Sequence, residues 1–305
     1  MSDQKPSQWK IGIFLAAGIL SVSSAAILIR LSLAAANTQG VGFSLVLSAS
    51  RLALAAILLL PSWQQFSLSQ LQSSAFYYSG AAGLFLALHF TAWTTSLSYT
   101  SIAASTTLVT TGPIWVALLS WLWLKEKPKI STLCGISVAL VGGILIAAGE
   151  ASVSDEFSHP LLGDLLALIG AGTVSFYFLL GRQAQQSGIS LSHHIAIAYT
   201  TAALVLLPLP FIFGASYTGY PGEVYLYMLL LALFPQLIGH TSFNWAVRWI
   251  SPTLVALTIL LEPIGSSCLG YLLFDEIPSR IVILGAAVIL LGVAIATLGN
   301  KTWST

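Results

Sequence analysis

Apolar residues run along this chain in long blocks, with neither the alternation of a half-buried strand nor the one-sided stripe of a surface helix. Blocks bounded by charge, proline or turn residues cover 10–31, 41–60, 74–98, 101–124, 131–149, 161–181, 191–213, 224–249, 252–274 and 280–298. Each is close to the roughly 20 residues that carry a helix across a bilayer. The pattern therefore predicts ten membrane-spanning helices. Lys5 and Lys10 before the first block and Ala34-Ala35-Ala36 after it also fit a secretory leader. That block is longer than a leader's apolar core and has a counterpart later in the chain, so it is read as the first span.

Composition supports the same reading. Only 7% of the 305 residues are charged, against about 25% in soluble domains. Apolar residues reach 56% and the mean hydropathy is +0.89. There is too little polar surface to cover a water-exposed globule. A net charge of +1 without any basic run excludes a nucleic-acid binder. Cys134 and Cys268 both fall in apolar blocks and read as small packing residues.

Sliding the chain against itself gives a gap-free match at an offset of 150, pairing 90–148 with 240–298. Ser101 meets Ser251, Pro113 meets Pro263, Glu126 meets Glu276, Gly135 meets Gly285 and Gly142 meets Gly292. At an offset of 152, Gly18, Ser23, Leu28 and Arg30 meet Gly170, Ser175, Leu180 and Arg182. The expected organisation is a tail at 1–9, a first repeat at 10–149, an external connection at 150–160, a second repeat at 161–298 and a tail at 299–305. Five spans per repeat is an odd number, so a shared internal fold puts the second repeat upside down relative to the first. With the N-terminus inside, Lys5, Lys10, Lys125, Lys127, Lys129, Arg182, Arg248 and Lys301 lie at cytoplasmic ends, and Arg30, Arg51 and Arg280 at outer ends. Eight against three satisfies the positive-inside rule and places both termini in the cytoplasm.

The fold class is thus all-α and integral to the membrane, with ten transmembrane helices as two inverted five-helix repeats. With Pro113 followed by Lys125-Glu126-Lys127-Pro128, and Leu261-Glu262-Pro263 by Asp275-Glu276-Ile277-Pro278, it resembles the EamA-type members of the drug/metabolite transporter superfamily. The sequence departs from that pattern where Gly112 stands opposite Glu262, and where Lys125 and Asp275 precede the acidic residue. The resemblance implies a secondary carrier of the cytoplasmic (inner) membrane, working by alternating access through a cavity between the repeats, without ATP. It also implies small metabolites as cargo, often moved outward.

An ionisable group at bilayer depth is costly unless paired or facing water, so each is a functional candidate. Glu262 sits eleven residues into its span. It reads either as a proton-coupling and substrate-binding carboxyl or as an architectural partner for backbone freed by Pro263. Pro113 and Pro263 each remove one helix hydrogen bond at mid-span and mark a pair of hinges. His89 and His240 are mid-span and one residue out of register between repeats. Trp93 lies one turn after His89, and Asn244 one turn after His240. These four suit a small amine, amide or aromatic ligand. Tyr99, Thr107, Thr111, Trp115 and Tyr177 are further substrate-binding candidates; the hydroxyls of the fourth span divide into a Thr107/Thr111 face and a Thr106/Thr110 face. Arg30 and Arg51, expected at neighbouring outer helix ends, form an alternative anion site, with headgroup snorkelling as the other reading. Ala139-x3-Gly143 and Gly292-x3-Ala296 permit close helix packing or dimerisation, which leaves monomer and homodimer both open.

The function expected is a secondary active transporter, an exporter of a small polar or amphipathic metabolite such as an amino acid, amine, nucleobase or drug-like molecule, with proton coupling at Glu262. The alternative is an antiporter of phosphorylated metabolites or nucleotide sugars, which needs several cations in the cavity. No catalytic signature, metal-ligand spacing or cofactor motif is present, so an enzyme is not expected. The expected partners are the lipid bilayer and a small-molecule substrate.

Overall fold

A computed structural model describes residues 6–38, 40–64, 73–100, 102–150, 159–274 and 280–298. Every regular element among them is a helix. The order is α1 (Gln8–Ala36), α2 (Val41–Leu58), α3 (Leu60–Gln64), α4 (Ser73–Ser96), α5 (Ile102–Val109), α6 (Gly112–Leu122), α7 (Ile130–Glu150), α8 (Pro160–Gln186), α9 (Leu191–Leu206) and α10 (Leu209–Ile212). There follow α11 (Gly222–Leu231), a π-helical segment (Ala232–His240), α12 (Thr241–Ala246), α13 (Pro252–Ile259), α14 (Glu262–Phe274) and α15 (Arg280–Leu298). Six runs are long and apolar enough to cross a membrane: Gln8–Ala36, Val41–Leu58, Leu161–Gln186, Leu191–Ile212, Gly222–Ala246 and Pro252–Leu273. The chain is an all-α, multi-pass integral membrane protein. α4 has 24 residues but is not among the six, because hydroxyls, His89 and Trp93 lower its hydropathy.

Local sequence sets several helix ends. Ser7 caps α1 by accepting from the Lys10 amide, and Asn37 closes it in the left-handed region at φ 45°, its N–H returning to the Ala34 carbonyl. Ser190 and Ser251 cap α9 and α13 in the same way as Ser7. Between these ends the helices bury one part of their surface and expose the rest, as Trp121, Leu122, Leu161, Ile283 and Leu291 do on the outside. In lipid such exposure is solvation rather than a defect.

The main core lies where α1, α2, α4, α8, α9, α11 and α12 converge, around Val22, Leu47, Phe90, Tyr177, Tyr199 and Phe243. A second cluster joins α6, α7, α13 and α15 through Ala117, Ala139, Leu257 and Ile289. Small residues decide how closely α7 and α15 approach. A Cβ at Gly135 would come within 2.6 Å of the Gly292 carbonyl, and one at Gly142 within 2.6 Å of the Gly285 carbonyl. Removing those side chains lets two helix backbones touch, which gives dispersion contact where lipid offers no hydrophobic drive.

Candidate functional site

Two of the runs are interrupted at matching places. α5 stops at Val109 and α6 begins at Gly112, with Thr110 and Thr111 between them and Pro113 in the first turn of α6. α13 stops at Ile259 and α14 begins at Glu262, with Leu260 and Leu261 between. Proline supplies no amide proton, so a continuous helix would lose a bond at either place. A serine from another helix attends each break. Ser175 Oγ on α8 donates to the Gly112 carbonyl at 3.3 Å and to the Ala171 carbonyl at 2.7 Å. Ser23 Oγ on α1 donates to the Glu262 carbonyl at 3.3 Å and to the Ile19 carbonyl at 2.8 Å.

Both breaks open onto one cavity of about 60 Å³. Since one water needs about 10–15 Å³ of such space, it has room for a few waters. Val109, Thr110, Gly112 and Pro113 line it from the first break, Ile259 and Glu262 from the second. α4 contributes His89 and Trp93, α2 contributes Arg51, α8 contributes Ser175 and Phe178, and the π-helical segment contributes His240. The rings form a connected group: His89 stacks on Trp93 at 5.9 Å, lies 6.4 Å from His240, and Phe178 stacks on His240 at 6.3 Å.

Two charged side chains are buried among the described residues, Arg51 at 3% exposure and Glu262 at 8%, and both face this cavity. The Arg51 guanidinium lies over the Phe90 ring at 4.3 Å and donates from Nε to Gln236 Oε1 at 2.8 Å. His89 Nδ1 donates to the Gly170 carbonyl at 2.9 Å, which leaves its Nε2 as an acceptor. Trp93 Nε1 and His240 Nδ1 have no hydrogen-bond partner among the described residues. The cavity thus combines a cation, a carboxyl, ring nitrogens unpaired among the described residues, and apolar walls.

The sequence-derived candidates separate into three groups. His89, Trp93, Pro113, His240 and Glu262 meet at the cavity. Tyr177 and Asn244 lie behind it: the Asn244 amide donates to the Tyr177 hydroxyl and, at 2.8 Å, to the His240 carbonyl, so Asn244 is tied to protein groups. The others fall elsewhere. Thr111 bonds back to the Leu108 carbonyl at 2.7 Å, and it is Thr110, on the other hydroxyl face, that lines the cavity. Trp115 is 37% exposed, and Tyr99 stands beside His159. The side chains of Thr107 and Pro263 lie outside the described residues, although the backbone break before Pro263 does not.

The arginine expectation needs correction. Arg51 is not at an outer helix end but eleven residues into α2 and buried, whereas Arg30 is exposed and absent from the cavity lining. The depth argument that singles out Glu262 applies equally to Arg51, so this signal was present in the sequence. Gln236, Ser23 and Ser175 carried weaker signals, as single polar residues inside apolar runs.

The match to known proteins follows the same division of the chain. The model of the EamA-like transporter family matches residues 8–148 and again residues 161–298. The chain belongs to the EamA-like transporter family. Relatives of this EamA-like protein include the uncharacterized transporter YdfC of Bacillus subtilis (strain 168), 27% identical over 195 residues, which are 63% of this chain and 61% of YdfC. The chain therefore spans less than two thirds of YdfC's length. The uncharacterized transporter YyaM of the same organism is 25% identical over 237 residues, 75% of each chain. An uncharacterized transporter of Archaeoglobus fulgidus is 23% identical over 205 residues, 66% of this chain and 69% of its own. A solved structure described as "Crystal structure of protein" superposes with a TM-score of 0.75 at 19% identity, covering 98% of this EamA-like chain and 100% of the other, which is a likeness of fold.

Proposed function

We propose that this EamA-like transporter is a secondary exporter of a small zwitterionic or amphipathic metabolite, bound in the cavity between the two helix breaks and released by alternating access. The observation that carries the reading is that one cation, Arg51, and one carboxyl, Glu262, face a single cavity whose walls are otherwise mainly rings and aliphatic side chains. A ligand with both charges and an apolar part satisfies all three features. In this reading Glu262 exchanges a proton as cargo enters and leaves, and the flexible joints are the breaks at Pro113 and Pro263.

The repeats at 10–149 and 161–298 are taken as ten spans in two inverted halves. The paired serine-to-carbonyl bonds at residues matched by the 152 and 150 offsets support this. Removing Arg51 from the outer-end charges changes the cytoplasmic-to-outer count from eight against three to eight against two, in favour of cytoplasmic termini in the inner membrane. The cavity lining includes one arginine, no lysine and the carboxyl of Glu262, which sets the phosphorylated-metabolite alternative behind the zwitterion.

The test is counterflow in proteoliposomes preloaded with amino acids, amines, nucleobases or sugar phosphates, with and without an imposed pH gradient. Exchange of a zwitterion or amine that accelerates with the gradient, and loses that acceleration in Glu262→Gln, is expected. Exchange confined to sugar phosphates would overturn the reading. Exchange indifferent to the gradient in both proteins would remove proton coupling.

A further inference from the structure

Arg51 is held in a way that its role as a cavity cation does not by itself require. Its guanidinium carbon lies over the Phe90 ring, 4.3 Å from the centroid, and its Nε–H is taken by Gln236 Oε1 at 2.8 Å. A face contact and an edge contact together fix a planar group. What remains are the two terminal Nη groups, on a side chain that lines the cavity. That pair is the fork which accepts a carboxylate through two parallel bonds.

Gln236 is itself unusually anchored. It is fully buried inside the π-helical segment, directly after Pro235. Proline cannot donate to the preceding turn, and π winding, which pairs i with i+5, absorbs the mismatch and frees backbone carbonyls for outside partners. Tyr199 on α9 uses one of them: its hydroxyl donates to the Gln236 carbonyl at 3.4 Å and lies 3.2 Å from Thr241 Oγ1. The amide is thus held from its backbone while its oxygen holds the arginine. Its Nε2 has no partner among the described residues, an open donor beside the guanidinium.

We propose that Gln236 is a positioning residue that aims the Arg51 fork into the cavity, and that the group the fork receives is the carboxylate of the transported molecule. The proposal rests on the cavity reading above and adds to it which end of the cargo meets which wall. A glutamine does this where a carboxylate could not: a glutamate at 236 would pair with Arg51 and neutralise it, and an apolar residue would let the guanidinium turn.

The experiment uses the full-length protein in nanodiscs and probes sharing one apolar group: leucine, isocaproate, which keeps only the carboxylate, and isoamylamine, which keeps only the amine, with inorganic phosphate as a fourth. Dissociation constants come from ligand-dependent thermal stabilisation. In Gln236→Leu and Gln236→Glu, leucine and isocaproate are expected to weaken about tenfold or more while isoamylamine is unchanged, a selectivity that a general loss of packing would not produce. Gln236→Asn, shorter by one methylene, should fall between. A spectroscopic arm covers variants with poor folded yield. In guanidinium-labelled wild-type protein the Arg51 Nε–H, identified by its absence in Arg51→Lys, should exchange slowly with solvent, and in Gln236→Asn it should exchange fast. Equal affinities for leucine and isocaproate in wild type and the three Gln236 variants, with loss in Arg51→Lys, would overturn the role of Gln236 and leave the cavity reading intact. Binding of phosphate in place of the carboxylates would overturn the carboxylate assignment. If none of the four stabilises the wild-type protein, both this proposal and the zwitterion cavity fall.

Discussion

The two helix breaks share a backbone solution and differ in chemistry. Each places two residues between successive helices, a proline two positions after them, and a serine from a helix of the other half of the chain on the carbonyl that precedes the proline. Yet the residue at that carbonyl is Gly112 in one and Glu262 in the other, and Thr110 of the first break corresponds to Leu260 of the second. Backbone pairing and the side chains offered to the cavity therefore separate cleanly. Any residue can supply the carbonyl that serine reaches, so the side chain at that point is free to diverge. One half keeps space and a hydroxyl, the other supplies the charge.

The most disruptive way to break the comparison is to make the halves alike. Gly112→Glu should lose most folded protein, because a second buried carboxyl without a cation of its own costs about 3–5 kcal/mol. Gly112→Ala should be nearly silent, since an added Cβ meets nothing closer than Ser175 Oγ at 3.9 Å. Detergent-solubilised yield and melting temperature would check both, and a well-folded Gly112→Glu protein would show that the asymmetry is not required. In the opposite direction, Glu262→Gln should slow exchange about tenfold or more, equivalent to about 1.4 kcal/mol of lost interaction, in the counterflow assay.

Smaller effects sharpen the likeness. Ser23→Ala and Ser175→Ala should each cost about 1 kcal/mol, seen as similar falls in melting temperature of about 2–4 °C. A large fall in one and none in the other would refute their equivalence. The smallest effect belongs to Glu126→Gln. Glu126 pairs with Arg182 at 2.8 Å where α6 gives way to its loop, but the carboxylate is 44% exposed, so the change should cost about 0–1 kcal/mol and little activity.

How much was legible in the sequence depended on whether a signal was local. Pro113 and Pro263 announced the breaks because a missing amide proton acts on its own helix turn. His89, His240 and Glu262 were found by depth, which a helix converts directly from residue count, and Trp93 by its one-turn spacing from His89. Arg51 was misread as an end residue although the same count puts it well inside its span. The choice between the Thr107/Thr111 and Thr106/Thr110 faces was beyond reach, because only the way the break after α5 is set against its neighbours puts Thr110 at the cavity. Asn244 shares a helix face with His240, yet Tyr177 from α8 captures its amide, a contact between residues 67 positions apart. The π-helical winding around Pro235 was likewise not marked by periodicity, since one helical form changes to another without a break in hydropathy.

By itself the sequence determined that this chain lives in a bilayer, that residues 90–148 match 240–298 without a gap and that charge is scarce enough for each buried ionisable group to be a candidate. Those properties follow from hydropathy and spacing, which are additive along the chain. Only the tertiary structure decided that Arg51 and Glu262 face the same cavity, that Ser23 and Ser175 reach matching carbonyls across the protein, and that Gln236 holds the arginine by its edge. Each of these is a meeting of residues from different helices, set by how the helices rotate and close-pack against one another, and no one-dimensional pattern encodes that geometry.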